Sequence, residues 1–327
     1  MRIFLAGATG ALGKRLVALL VSSGHHVTGM TRSTGKVHLI TQMGAEPAVA
    51  DALDRAAVMD AVMTAQPDVV VHQVTALVRM GDLKHFDREF ALTNRLRTEG
   101  TQYLLAAAKA AGASRFVAQS FSGWPNSRTG GRVKTEEDPL DAHPPKSMRR
   151  TLEAIRQLEQ MVTSSAALTG VVLRYGGLYG PGTSIGPGGY LVEMIRRRRL
   201  PIVGEGTGVW SFLHIDDAAN ATRIAIEDGP AGVYNVVDDE PAEVSKWLPE
   251  LAATLGARPP RRIPAWIGRL LIGEAGLSMM NDVRGSSNAK ARTVLGWRPF
   301  YATWREGFRS GADDRILSSA AAQAVID

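Results

Sequence analysis

The sequence predicts an α/β protein: a doubly wound parallel sheet followed by a smaller, mostly helical C-terminal part. Three observations carry this. Short apolar and β-branched runs alternate with helical periodicity through the first half, as in Asp68-Val-Val-Val-His72. A glycine-spaced turn, Gly7-Ala-Thr-Gly10-Ala-Leu-Gly13, separates the first apolar run from the first helical pattern. The 327 residues are 45% hydrophobic and 21% charged, which supplies a core and more chain than one average domain.

In chain order, Arg2–Ala6 reads as a strand and Lys14–Ser23 as a helix. His26–Met30 is a second strand, and Asp68–His72 a third whose three consecutive valines suit burial on both faces. Arg97–Ala111 reads as a helix, Arg115–Ala118 as a strand, Met148–Ser164 as a helix and Gly170–Leu173 as a strand. The pattern changes near residue 174, because Gly176–Gly189 is a Gly/Pro-rich loop and the chain beyond 240 turns mostly helical.

Composition excludes several classes. There is no cysteine, so disulfide scaffolds, thiol nucleophiles and thiolate zinc sites are out. No other metal-ligand spacing is present, so no metal is expected. No apolar run nears the ~18 residues of a membrane span. The N-terminus has a basic start and an apolar stretch, but Lys14 and Arg15 interrupt it and the glycines are regularly spaced. A buried strand is the better reading than a signal peptide, which points to the cytoplasm. The net charge of +6, from 38 Lys+Arg against 32 Asp+Glu, suits an anionic small ligand. The run Arg196–Arg199 reads as a solvated helix end, and without interleaved aromatics it is no nucleic-acid grip. His72 and His214 sit in apolar runs and read as hydrogen-bonded core histidines.

The glycine turn resembles the phosphate-binding loop of the extended short-chain dehydrogenase/reductases, the branch that includes sugar-nucleotide epimerases and dehydratases. Further segments match in order: Val49-Ala-Asp51-Ala52-Leu53, Val71-His-Gln-Val-Thr75, Leu173-Arg-Tyr-Gly-Gly-Leu-Tyr-Gly-Pro-Gly182, Phe212-Leu-His-Ile-Asp-Asp217 and Leu295-Gly-Trp-Arg-Pro299. The resemblance implies a Rossmann sheet. Residues 1–173 with about 209–240 would form the dinucleotide-binding domain. Residues 174–208 and 241–327 would form the substrate-binding domain. It also implies a nicotinamide cofactor held by Gly7, Thr9, Gly10, Ala11, Leu12, Gly13, Asp51, Ala52, Val74 and Thr75, with Tyr175 near the nicotinamide. The second strand ends at Met30-Thr31-Arg32-Ser33 with no acid for the ribose hydroxyls of NAD. Arg32 and Ser33, with Lys36, suit the 2′-phosphate of NADP, so NADP(H) is preferred and NAD(H) is the secondary option. The alternative for Arg32 is a solvated loop arginine.

The resemblance fails at the chemistry. Reductases of this superfamily carry Tyr-x-x-x-Lys with a Ser or Thr. Four residues after the six tyrosines stand Ala107, Tyr179, Thr183, Met194, Asp238 and Arg305, and none is lysine. Alignment through Glu159 puts Thr151 at the tyrosine position and Ile155 at the lysine position. The usual Ser/Thr position falls on Phe121, between Ser120 and Ser122. Ser120 and Thr151 are therefore the remaining candidate proton donors. Trp210 stands where the sugar-nucleotide branch carries an arginine for the diphosphate. Tryptophan cannot neutralise a phosphate but stacks on rings. Phe121, Ser122, Trp124, Met148 and Trp210 are thus expected to line a site for a hydrophobic substrate, the alternative being that the aromatics fill core.

The expected activity is that of an atypical reductase: an NADPH-dependent ketoreductase acting on a hydrophobic, polycyclic aromatic ketone, as in the ketoreductases that tailor aromatic polyketides such as angucyclinones in antibiotic biosynthesis. The proton would come from Ser120, Thr151, a water or, preferably, a phenol of the substrate beside the ketone. Two alternatives stand: a non-catalytic NADP-binding sensor, and a sugar-nucleotide epimerase or dehydratase with displaced catalytic residues. Neither nucleic acid nor membrane is an expected partner, and the chain is expected to be a monomer or homodimer.

Overall fold

A computed structural model describes residues 1–77 and 82–312. The tail of the expected substrate-binding region beyond 312 lies outside the described residues. The expected doubly wound sheet is present. Its seven strands are β1 (Arg2–Ala6), β2 (His26–Thr31), β3 (Glu46–Val49), β4 (Val69–His72), β5 (Arg115–Phe121), β6 (Thr169–Tyr175) and β7 (Gly232–Val236). They lie in the order β7-β6-β5-β4-β1-β2-β3, and every pairing is parallel. The order reverses at β1, between β2 and β4. In open α/β sheets a ligand crevice forms at that switch point, outside the carboxyl ends of the strands.

Period-2 alternation sorts the strand residues between two buried faces. Ile3, Leu5 and Val71 face one hydrophobic cluster, whereas Phe4, Ala6 and Val70 face the other. The first cluster includes Leu12, Leu16, Val17 and Leu20 of α1 (Ala11–Ser22) and Ala218, Ala221 and Ala225 of α2 (Ile215–Glu227). The second includes Val58 and Val62 of α3 (Arg55–Ala65), Leu104 and Ala108 of α4 (Thr101–Ala110), and Leu158 and Val162 of α5 (Arg149–Thr163).

The structure refines several boundaries. The helix expected from Arg97 opens as a π turn, Leu96–Gly100, before α4. The loop expected over 176–189 contains a short strand, Gly177–Tyr179, paired parallel with Phe212–His214. The C-terminal part is helical as expected, through α6 (Val244–Thr254) and α7 (Ala265–Asn281), the latter broken at Gly273 with φ 69°. Tyr179, Phe212, Trp247, Trp304 and Phe308 form its own aromatic core. A further cluster of Phe86, Trp124, Met148, Ile155 and Met279 joins it to the sheet.

Candidate active site

A cavity of about 1070 Å³ opens at the switch point. One end lies over the glycine turn and the other reaches the C-terminal helices. The glycine-turn end is lined by Gly7, Thr9, Gly10, Ala11, Leu12, Gly13, Arg32, Ser33, Asp51, Ala52, Val74 and Thr75, the residues expected to hold the cofactor. The turn is built by close approach of backbone. Gly7 has φ 95°, and a Cβ there would stand 2.9 Å from the Gln73 carbonyl. A Cβ on Gly13 would lie 2.1 Å from the Gly7 carbonyl oxygen, so only glycine lets α1 come this near the strand end. Gly10 is the residue preceding α1, with no side chain over the free N–H groups of its first turn. This cradle fits a pyrophosphate on a helix N-terminus. Arg32 is exposed at the rim, where no acid side chain stands among Thr31, Arg32 and Ser33.

The middle of the cavity contains the ends of β5 and β6. Ser120 Oγ donates to Glu159 Oε1 at 2.7 Å. Glu159 also accepts both guanidinium arms of Arg174, at 2.8 and 2.6 Å, in a buried group. The Ser120 proton is thereby committed to a carboxylate. Tyr175 lines the cavity, but its hydroxyl turns back into the core: it receives Gln73 Nε2 at 3.1 Å and bonds Thr222 Oγ1 at 2.7 Å. Thr222 donates its own proton to the Ala218 carbonyl, so Tyr175 donates to Thr222. Burial pushes the Tyr175 phenol up to about 12.

Thr151 does not line the cavity. Its buried hydroxyl donates to Asp87 Oδ1 at 2.7 Å and accepts from Asn94 Nδ2 at 3.0 Å, so no proton of it faces a substrate. Met148 likewise sits in the core and not on the cavity wall. Ile155 is fully buried in the same apolar cluster as Trp124 and does not line the cavity.

The far end is apolar. Phe121, Trp124, Trp210, Met279 and Val283 line it with Phe90 and Leu92, and Ser122 stands among them. Ser122 donates to Ser286 Oγ, which ties it to the C-terminal part. Trp124 packs edge-on against Phe86 at 5.2 Å. Trp210 is half-buried; its ring lies 5.1 Å from Trp247, and its indole N–H donates to the Met279 carbonyl at 2.9 Å. It thus packs on core aromatics and presents its free face to the cavity. Arg197 and Arg199 also line the cavity beyond the helix end, a part not expected of that basic run.

His72 and His214 are buried and lowered to about 4, chiefly by burial. His72 Nε2 bonds the Leu96 carbonyl at 3.2 Å and its Nδ1 accepts the Val74 N–H at 3.2 Å, which fixes a neutral ring. Among the described residues no group of three or more His, Cys, Asp or Glu could hold a metal ion. None of the described helices is long and apolar enough to cross a membrane.

Comparison with known proteins agrees with the geometry. A 3-diazoavenalumate denitrifying reductase from a Streptomyces species is 45% identical over 309 residues, which are 94% of this chain and 99% of that protein. A 4-hydroxy-2-methyl-3-oxo-4-farnesyl-3,4-dihydroquinoline-1-oxide ketoreductase from Stigmatella aurantiaca is 30% identical over 264 residues, 79% of this chain and 74% of that protein. The fold is shared with a Thermotoga maritima UDP-glucose 4-epimerase in complex with UDP-glucose, at TM-score 0.77 and 23% identity over 97% of this chain and 99% of that one. It is also shared with a human epimerase family protein in complex with NADPH, at TM-score 0.75 and 20% identity over 96% and 100% of the two chains. Residues 3–236 match the sequence family described as NAD dependent epimerase/dehydratase, and the chain belongs to that family.

Proposed function

We propose that the protein is an NADPH-dependent reductase that acts on a hydrophobic aromatic substrate and supplies no acid of its own at the family's usual positions. The observation that carries this reading is that neither candidate donor offers a proton to the cavity: Ser120 is bound to Glu159, and Thr151 is outside the cavity and bound to Asp87. The glycine turn would hold the pyrophosphate, and Arg32 with Ser33 the 2′-phosphate. When bound, NADPH supplies a hydride. Phe121, Trp124 and Trp210 would hold the acceptor by ring packing and exclude water from it.

The acceptor that best suits a site with no acid is an arenediazonium group. One hydride and one arenediazonium balance to an arene and dinitrogen, and no proton is drawn from the protein. The reductive loss of nitrogen in the name of the 45% identical relative supports this acceptor. The second reading is an aromatic ketone that carries its own phenol; the ketoreductase relative favours it. An alkoxide must be protonated, so that reading needs a proton from the substrate phenol or from a water. Trp210 counts against a sugar-nucleotide substrate, although Arg197 and Arg199 stand on the same cavity as cations.

The test offers NADPH deuterated at the transferring position to a panel of arenediazonium acids and hydroxyaryl ketones. The expected result is evolved dinitrogen and one deuterium at the carbon that carried it. Reduction of ketones alone moves the assignment to the second reading. Tight NADPH binding with no turnover across the panel would make the protein a sensor.

A further inference from the structure

Among the described residues Arg97 is a cation without a hydrogen-bond partner. It comes from the π turn ahead of α4, within the row Leu96, Arg97, Gly100 and Thr101, all buried. The residue is 6% exposed, lines the cavity, and its Nη1 has no hydrogen-bond partner. Glu159 is the carboxylate whose charge reaches it. Yet both Glu159 oxygens already accept Arg174, and Oε1 accepts Ser120 as well. The buried group under this part of the cavity thus holds two guanidinium groups, Arg97 and Arg174, against one carboxylate, Glu159. His72 cannot balance the surplus, since its ring is neutral and spends its N–H on the Leu96 carbonyl, which anchors the turn that carries Arg97. Burying an unpaired guanidinium is strongly unfavourable. Its acceptor is therefore expected outside the chain.

We propose that Arg97 anchors the nicotinamide half of NADPH by donating to the ribose hydroxyl oxygens, from a different helix than the one that holds Ile155. This rests on the reading of the groove as an NADPH site. Guanidinium has only donors, so it suits oxygen lone pairs. Its turn packs on the cofactor side, since a Cβ at Gly100 would stand 3.5 Å from the Ala52 carbonyl oxygen. The apolar end, at Trp210 and Met279, is lined by other elements. The pyrophosphate already has the glycine turn.

Calorimetry with two ligands tests this. NADPH contains the nicotinamide ribose; adenosine 2′,5′-bisphosphate lacks it and retains the 2′-phosphate. Arg97→Met removes the donors and also a buried charge, so the variant should fold. It should bind NADPH roughly 10- to 100-fold more weakly, the range for losing a hydrogen bond to a charged group. It should bind the bisphosphate as the parent does, and Arg97→Lys should recover part of the NADPH affinity. Unchanged NADPH affinity in Arg97→Met would overturn the proposal and assign the cation to the substrate. Equal loss of both ligands would overturn it as well. A parent protein that binds the bisphosphate but gains nothing from the nicotinamide half refutes the anchor alone; one that binds neither removes the cofactor reading.

Discussion

Alanine at position 13 should unseat the first helix. The added Cβ would lie 2.1 Å from the Gly7 carbonyl oxygen and 2.9 Å from the Ala8 carbonyl carbon, both backbone atoms that no rotamer can move. An ordinary contact begins at 3.4 Å, so α1 must retreat by about 1.3 Å. A gap of 0.5–1 Å forfeits roughly a quarter to a half of each contact's attraction. The contacts at risk are those of Leu12, Leu16, Val17 and Leu20, all buried against the sheet. A cost of about 3 kcal/mol follows, at the upper end of the usual overpacking range. At roughly 2 °C per kcal/mol for a chain of this size, the melting temperature should fall by about 6 °C. NADPH affinity should fall too, because the helix N-terminus moves with the helix. Gly10→Val is the control. A Cβ there meets only the Gly7 oxygen, at 3.3 Å, so the fold should survive while the side chain enters the pyrophosphate space. Scanning calorimetry and NADPH titration on both variants separate the effects. A Gly13→Ala protein that melts with the parent and binds NADPH equally would refute the close-approach argument.

Arg32→Ala should weaken NADPH by roughly 1.5–3 kcal/mol, as for a charge-assisted hydrogen bond, and spare NADH; equal affinity of the parent for both cofactors would sink this. Trp210→Arg should raise the KM for substrate and leave NADPH affinity intact, with a melting loss of a few degrees, since an arginine stem can lie along Trp247 with its head in the cavity. Global unfolding of that variant would make Trp210 purely a core residue. Thr151→Val leaves Asp87 and Asn94 each short of a partner, so it should cost about 1–3 kcal/mol of stability and only a few-fold in single-turnover rate. The same small rate effect is expected for Tyr190→Phe, a tyrosine that lines the cavity besides Tyr175; a loss of about 100-fold or more in either would identify a relocated general acid. His72, lowered from 6.5 to about 4, binds fewer protons folded than unfolded, so stability should be full above pH 6.5 and fall by about 3 kcal/mol as pH drops through that window. Urea titrations of the parent and His72→Gln across that range should differ in slope, and parallel curves would contradict it.

The cofactor half was legible because its signals are local. A glycine triplet between strand and helix states its own geometry, and Asp68–His72 could be little else than a buried strand. The candidate proton donors were legible only as positions in a pattern. That no tyrosine is followed four residues on by a lysine is a matter of counting, but a position number does not say which way a side chain turns. Thr151 opens α5 beside Asp87, and Met148 precedes it in the core, so neither reaches the cavity despite its place in the pattern. Arg97 was missed because a charged residue at a helix start reads as solvated. A signal was nonetheless present. Arg97 stands four before Thr101 and seven before Leu104, on the buried stripe of that helix. The two- and three-residue strands of the C-terminal half gave no period to read.

The placement of the tryptophans makes the protein its own optical probe. Trp247, Trp297 and Trp304 are fully buried in packed aromatic or aliphatic surroundings, and Trp266 is exposed on α7. Only Trp124 and Trp210 line the cavity. An aromatic ligand that enters between them will quench two emitters of six, with one of them in contact with the emitter Trp247 behind it. Emission lost on adding substrate, and kept on adding cofactor fragments that stop at the glycine turn, reports which end of the space has filled.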